Sequence, residues 1–246
     1  MAALGTANRT LDELELGAVL FRRFLDPAPN ETLELTALGL GVPRVGYAAT
    51  ESEMLELMRA GDALDVHGVY VVANRLSTRY AGARALGVWA AARKRATDAA
   101  VAARRVVYID LDAVREPGTS ATERELAPVY EVTDAVEAWL AARLGRSCIG
   151  RGFSGNGLSL FIAVEPVTPT ARDTAKVREL LECIAARFDR PGTVKIDTRV
   201  YNPSRLVPCF GTMKRKGAPS AERPHRRTTF TCRGHVERVP LKELVG

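Results

Sequence analysis

The chain has 246 residues, 46% hydrophobic and 26% charged. This is the balance of a globular protein with a packed core, and it excludes a disordered or collagen-like chain. The longest apolar runs, such as Gly68 to Ala73 and Val106 to Ile109, fall far short of the roughly 20 residues that a membrane span requires. Met1 to Arg9 lacks the basic and apolar regions of a secretory signal, so an intracellular, cytoplasmic protein with no membrane partner is expected. Cys148, Cys183, Cys209 and Cys232 form neither a C-x-x-C pair nor a cluster with zinc spacing. They are expected as buried or partly buried reduced thiols, with no zinc.

Apolar spacing over Leu11 to Leu25 predicts a helix, and the alternation of Leu33, Leu35 and Ala37 predicts a strand. Thr50 and Glu53 form a capping box that opens a helix through Met58, with its stop at Gly61. Val66 to Ala73 reads as a strand. Arg79 to Ala103, rich in Arg and Ala, reads as largely helical and leads to the β-branched strand Val106 to Leu111. Ser120 with Glu123 predicts a second capping box, Pro128 an interruption, and Thr133 the cap of a further helix ending at Gly145. A strand over Leu158 to Val164 precedes a helix capped by Thr170, with Val177, Leu180, Leu181, Ile184 and Phe188 on its apolar stripe. Pro191-Gly192 ends that helix, and short strands follow near Val194 to Asp197, Leu206 to Phe210 and Thr228 to Cys232. The alternation predicts an α/β or α+β core with an added N-terminal subdomain.

Asp110 and Asp112, two apart at a strand end, project their carboxylates from one face. Such a pair needs cations, and phosphoryl transfer supplies a reason for them, since two Mg²⁺ or Mn²⁺ ions can activate an attacking hydroxyl and neutralise a triphosphate. Asp197, after the strand-like Thr193 to Ile196, is the candidate third acid. Asp-x-Asp alone also fits a metal-dependent sugar-nucleotide glycosyltransferase or a solvated strand end. Ser154-Gly155-Asn156-Gly157 offers unobstructed backbone amides for phosphate, and equally suits a hairpin turn. Residues 195–227 hold nine basic residues against Asp197 and Glu222, a +7 segment suited to an anionic partner. Within it, cations beside a strand and the Gly211-Thr212 turn can grip triphosphate oxygens, and equally suit a basic hairpin.

The ordered set of motifs resembles the primase and primase-polymerase domains of phage and plasmid replication proteins, members of the archaeo-eukaryotic primase superfamily. The resemblance runs from about Gly68 to the end. It includes Gly-Val-Tyr-Val-Val-Ala-Asn at 68–74, Arg104-Arg105 before Tyr-Ile-Asp-Leu-Asp, and the run from Arg115 to Glu123. It continues through Ser-Gly-Asn-Gly at 154–157, Asn-Pro-Ser-Arg-Leu at 202–206, Gly-Thr-Met-Lys at 211–214 and Arg-Pro-His-Arg at 223–226.

The resemblance implies an α/β (α+β) primase-like catalytic core with a mixed, RRM-like sheet flanked by helices. It implies one domain over 1–246, with an N-terminal αβ subdomain to about residue 103 and a motif-bearing core from 104. Asp110, Asp112 and Asp197 are implied as the catalytic acids and ligands of two Mg²⁺ or Mn²⁺ ions. Ser154, Gly155, Asn156, Gly157, Ser159, Arg205 and Lys214 would line the nucleotide site, and Arg215, Lys216, Arg223, His225 and Arg226 would meet nucleic acid. Ser159 stands where the family usually has a histidine, and Arg75 replaces a frequent proline. The implied activity is template-dependent nucleotidyl transfer from dNTPs or NTPs on single-stranded DNA during replication. The family often continues into a helicase domain, so a helicase domain or subunit is an expected partner. The alternative is a non-catalytic nucleic-acid-binding replication module, which would have no use for three clustered acids.

Overall fold

The computed structural model describes residues 11–245 apart from residues 30, 40, 65, 83 and 93; Met1 to Arg9, read above for a signal, lie outside them. Helix α1 (Glu13–Leu25) starts at Asp12, whose carboxylate accepts from the Glu15 amide at 2.7 Å. Strands β1 (Leu33–Gly39) and β2 (Arg44–Ala48) form a hairpin, with Thr36 opposite Val45. Helix α2 (Glu51–Asp62) begins with the capping box read in the sequence: the Glu53 amide donates to Thr50 Oγ1 at 3.2 Å, and Glu53 accepts in return from the Thr50 amide at 3.0 Å. Strand β3 (Val66–Val72) pairs with β1.

The expected helix over Arg79 to Ala103 does not form. In its place are β4 (Arg75–Leu76), a four-residue α3 (Thr78–Ala81), β5 (Ala90–Ala91) and a 3₁₀ turn at Asp98–Ala100. This alanine- and arginine-rich stretch has no apolar stripe to bury, and Gly87 takes a left-handed backbone, φ 70°. The chain instead lies along the sheet edge, where Arg44 pairs with Ala91 and Trp89 donates to the Leu57 carbonyl at 3.1 Å.

Strand β6 (Val101–Ala113) is the backbone of the molecule, paired over its length with β8 (Gly157–Val167). Between them run α4 (Glu123–Leu144) and β7 (Ile149–Phe153). The cap of α4 is Thr122 with Glu125, and the Ser120 hydroxyl donates instead to the Lys216 carbonyl at 3.0 Å. Pro128 does not interrupt α4. It removes one hydrogen bond, whereas Leu126, Val129, Val132, Val136 and Leu140 all bury against the sheet. Thr133 therefore lies mid-helix and donates to the Val129 carbonyl at 2.7 Å. Thr170 caps α5 (Ala171–Phe188) as read. The chain closes with β9 (Val194–Ile196), β10 (Leu206–Pro208), β11 (Met213–Lys214), β12 (Arg226–Arg227), β13 (Thr229–Thr231) and α6 (Leu241–Val245).

Two main sheets result, ordered β10-β3-β1-β2-β5 and β13-β7-β8-β6-β4, with β9 also on β6 and a separate β11–β12 pair. The sheet was expected to be mixed, but every strand pair among the described residues is antiparallel, and parallel contacts are confined to isolated bridges. The strands exchange across residue 103, with β10 on β3 and β4 on β6. No helix among the described residues is long and apolar enough to cross a membrane. The four cysteines are free, and Cys183 is exposed rather than buried because it lies on the outer side of α5.

Alternation on β6 turns Val107, Ile109 and Leu111 to one face and Tyr108, Asp110 and Asp112 to the other. On the second face Tyr108 pairs with Phe161, whose ring meets Phe21 at 5.3 Å, Phe210 at 5.6 Å and Phe230 at 5.5 Å. This cluster ties α1, β8, β13 and the turn after β10 together. Two cations hold its margin: buried Arg105 pairs with Glu31, and partly buried Arg238 donates to the Leu25 carbonyl at 2.9 Å at the end of α1. Phe161→Ala should lower the unfolding free energy by about 3–5 kcal/mol, read from urea denaturation of the purified protein.

Candidate active site

The antiparallel register brings three acids together. On β8, Ser159 lies opposite Asp110 and Gly157 opposite Asp112. On the other side, Leu111 pairs with Ile196 and the Asp197 amide donates to the Asp110 carbonyl at 2.9 Å, which sets Asp197 directly across from Asp110. Directly opposed residues and their i+2 neighbours share a sheet face. Gly157 is required by this closeness, since a Cβ there would lie 2.4 Å from the Leu111 carbonyl oxygen and 2.9 Å from Asp112 Oδ1.

Asp110 Oδ1 accepts from the Tyr108 hydroxyl at 2.8 Å and from Ser159 Oγ at 3.3 Å, and those two hydroxyls lie 3.1 Å apart. Burial, with Asp112 beside it, pushes the Asp110 carboxyl up to about 7 despite those hydrogen bonds. Burial and the same acids hold the Tyr108 phenol far above its ordinary range. Asp112 is half exposed, 3.6 Å from an Arg115 guanidinium that also donates to the Ala113 carbonyl at 3.0 Å. The Asp197 carboxylate accepts from the Arg199 amide at 2.9 Å and from its Nε at 3.2 Å. As these side chains stand, no three His, Cys, Asp or Glu groups among the described residues enclose a metal position. The donor set nonetheless fits a hard divalent cation: all-oxygen ligands from adjacent strands, and a carboxyl whose burial beside other acids keeps it protonated to about pH 7.

The acids lie in a pocket of about 220 Å³ between the two sheets. Asp110, Asp112 and Asp197 line it with Arg115, Ser154 and Asn156, which follow or join strands of the same sheet, and Tyr70, Arg205, Lys214 and Lys216 are contributed by β3, by the residue before β10 and by the β11 segment. Gly155 has φ 88°, and a Cβ there would lie 2.8 Å from Cβ of Lys214, so the glycine turn and the lysine need each other's shape. Asn156 is buried; its side-chain oxygen accepts from the Ala121 amide at 2.8 Å and its Nδ2 has no partner. Arg205 is held by Asn202 Oδ1 at 2.9 Å and the Arg199 carbonyl at 2.5 Å. Buried Arg104 donates to the Tyr201 carbonyl at 2.8 Å and fixes the same segment.

Several expected site residues stand elsewhere. Ser159 is fully buried and reaches the site only through Asp110 and Tyr108, not as part of a nucleotide-facing wall. Arg215 is engaged by Asp62. Arg223 grips Glu125 with two nitrogens at 2.8 and 2.9 Å, Arg226 pairs with Glu123 at 2.7 Å, and His225 Nε2 lies 2.9 Å from the Gly217 carbonyl. The Arg-Pro-His-Arg element thus straps the start of α4 instead of presenting free cations. Lys216, expected at nucleic acid, lies in the acid pocket. The sequence reading assigned no role to Tyr70, Tyr108 or Arg115; Tyr108 could have been found from its place two residues before Asp110 on the same strand face.

Because the folded chain keeps the Asp110 proton up to about pH 7 and the unfolded chain releases it near pH 4, this group makes stability fall as pH rises through that window. In the presence of a chelator, Asp110→Asn should therefore raise Tm by a few degrees at pH 8 and much less at pH 5, measured by calorimetry. An equal gain at both values would contradict a raised carboxyl.

No protein-family model and no curated protein sequence matches the chain. Among solved structures, the AEP domain of the primase-polymerase (PrimPol) of cyanophage S-2L superposes with a TM-score of 0.54, covering 93% of this chain and 94% of that one at 15% sequence identity. At that identity the likeness is one of fold, and the chain has the fold of a primase-polymerase AEP domain.

Proposed function

We propose that the chain is a template-dependent nucleotidyltransferase that makes or extends primers on single-stranded DNA. The observation that carries this reading is the separation of charge in the central pocket: three aspartates on one sheet face a wall of Arg205, Lys214 and Lys216. A triphosphate needs both, cations for its outer phosphates and acids where its α-phosphate reacts. The fold likeness to a primase-polymerase domain supports the same reading.

In this mechanism a primer 3′-hydroxyl attacks the α-phosphate of an incoming dNTP or NTP, forming the new P–O bond as the bond to the leaving pyrophosphate breaks. Asp110, Asp112 and Asp197 would hold a pair of Mg²⁺ or Mn²⁺ ions, which when bound supply positive charge for the phosphates and acidify the attacking hydroxyl. Tyr108 and Ser159 donate to one oxygen of Asp110 and fix its orientation, leaving the other oxygen toward the pocket. Lys216 makes no ion pair among the described residues, and burial and the nearby Arg115 lower the pKa of its ammonium against the pull of Asp112 and Asp110; it is suited to a β- or γ-phosphate. Within the Ser154 to Gly157 turn the Ser154 amide donates to the Gly157 carbonyl at 2.9 Å and the Asn156 amide to Ser154 Oγ at 3.4 Å, so these two amides are already bonded and the turn shapes the pocket beside the phosphates.

Asp110→Ala with Asp112→Ala should abolish nucleotide addition in a primer-extension assay while the protein stays folded. The wild type should also gain thermal stability on addition of Mn²⁺ at pH 8, and the double variant should not. Lys216→Ala should weaken apparent nucleotide affinity roughly tenfold, the loss of one charge-assisted hydrogen bond, read from the nucleotide dependence of extension.

A further inference from the structure

Residues 66–97 hold Arg75, Arg79, Arg84, Arg93, Lys94 and Arg95 with no aspartate or glutamate, so this stretch alone carries as much net charge as the whole chain, +6. In the 195–227 segment most arginines are matched by acids, at Asp62, Glu123, Glu125, Glu13 and Asp197. The exposed side chains of Arg75, Arg79, Arg84, Lys94 and Arg95 have no ion pair or hydrogen bond among the described residues; Arg84 only lies over the rings of Tyr47 and Tyr80, at 5.6 and 5.1 Å. A cation without a partner is available to phosphate at no cost in broken ion pairs.

Three of these cations, Arg79, Arg84 and Arg95, border two depressions beside the acid pocket. The first, of about 660 Å³, shares Tyr70, Arg205 and Leu206 with that pocket and is bounded further out by Arg95, Arg199 and Tyr201. The second, of about 650 Å³, is lined by Arg79, Tyr80 and Arg84. Only the chain from Ala96 to Ala100 separates them, contributing alternate residues to each. The unpaired Arg95, Arg79 and Arg84 and the partly exposed Tyr70, Tyr201 and Tyr80 therefore mark a path outward from the three acids, with Asp98 the acid among its lining residues. Positive charge tracking a backbone, with aromatic rings at intervals, is the recognition chemistry of a single strand of nucleic acid.

We infer that the single-stranded DNA template lies along this path, over Arg95 and then Arg79 and Arg84, and not along the Arg215 to Arg226 strap. The inference rests on the nucleotidyltransferase reading for what the strand is used for, but the surface is tested by binding alone. Anisotropy of a labelled single-stranded oligodeoxynucleotide of mixed sequence, measured over a range of NaCl concentrations, reads the number of phosphate contacts as a slope. The combined Arg79→Ala, Arg84→Ala and Arg95→Ala variant should bind more weakly and lose about 2 from the log–log salt slope, at about 0.7 per contact. The same three positions changed to Lys should retain the slope, which separates charge from folding. Loss of two equally exposed cations on the helical side, Arg146→Ala with Arg187→Ala, should leave the slope unchanged.

An unchanged slope in the triple Ala variant, or an equal loss in the helical-side control, would overturn the inference while leaving nucleotide addition intact. A wild-type protein that binds the strand through these arginines yet adds no nucleotide with Mg²⁺ or Mn²⁺ would instead overturn the enzymatic reading and keep the surface.

Discussion

The structure turns on the cost of placing carboxylates side by side at the inner end of β6. Asp110 lies beside Asp112 and opposite Asp197, and burial together with those neighbouring acids lets its carboxyl hold a proton to about pH 7. The neighbouring features make that position tenable. Tyr108 and Ser159 satisfy one oxygen, Gly157 allows β8 to pass within reach of Asp112, and the β9 register delivers the third acid. Removing the acids would relieve the repulsion, which is a cost to the fold.

Much of this was legible before any coordinates. The β-branched run ending in Asp-Leu-Asp fixes a strand and a shared carboxylate face, and the Thr50 and Thr170 caps appear where Ser/Thr and an acid stand three apart. The Ser120-Glu123 pattern has the same spacing but loses to Thr122-Glu125, since both fit the box and only tertiary contacts choose between them. Pro128 read as a break because local propensity ignores five buried apolar side chains on the same helix. Ser159 read as a nucleotide contact because its sequence position is known and its burial is not.

Charge was the least legible property. Counting along the chain made residues 195–227 the basic segment, and the count is right. What a count omits is neutralisation through space: Asp62, Glu13, Glu123 and Glu125, all distant in sequence, meet those arginines in the folded chain. Arg79, Arg84 and Arg95 lie in a stretch first read as helix, and its irregular course along the sheet edge leaves their side chains without an ion pair among the described residues.

The chain leaves one sheet immediately after Asp197 and enters the other at Leu206, so a single nine-residue span fixes both the last acid and, through Arg205, a cation of the opposing wall. Its anchors are at both ends and at its middle, where Arg104 holds Tyr201. This connection works as a spacer of set length. An insertion or deletion would pull either the acid or the arginine out of line, so length is a property that selection would be expected to preserve there.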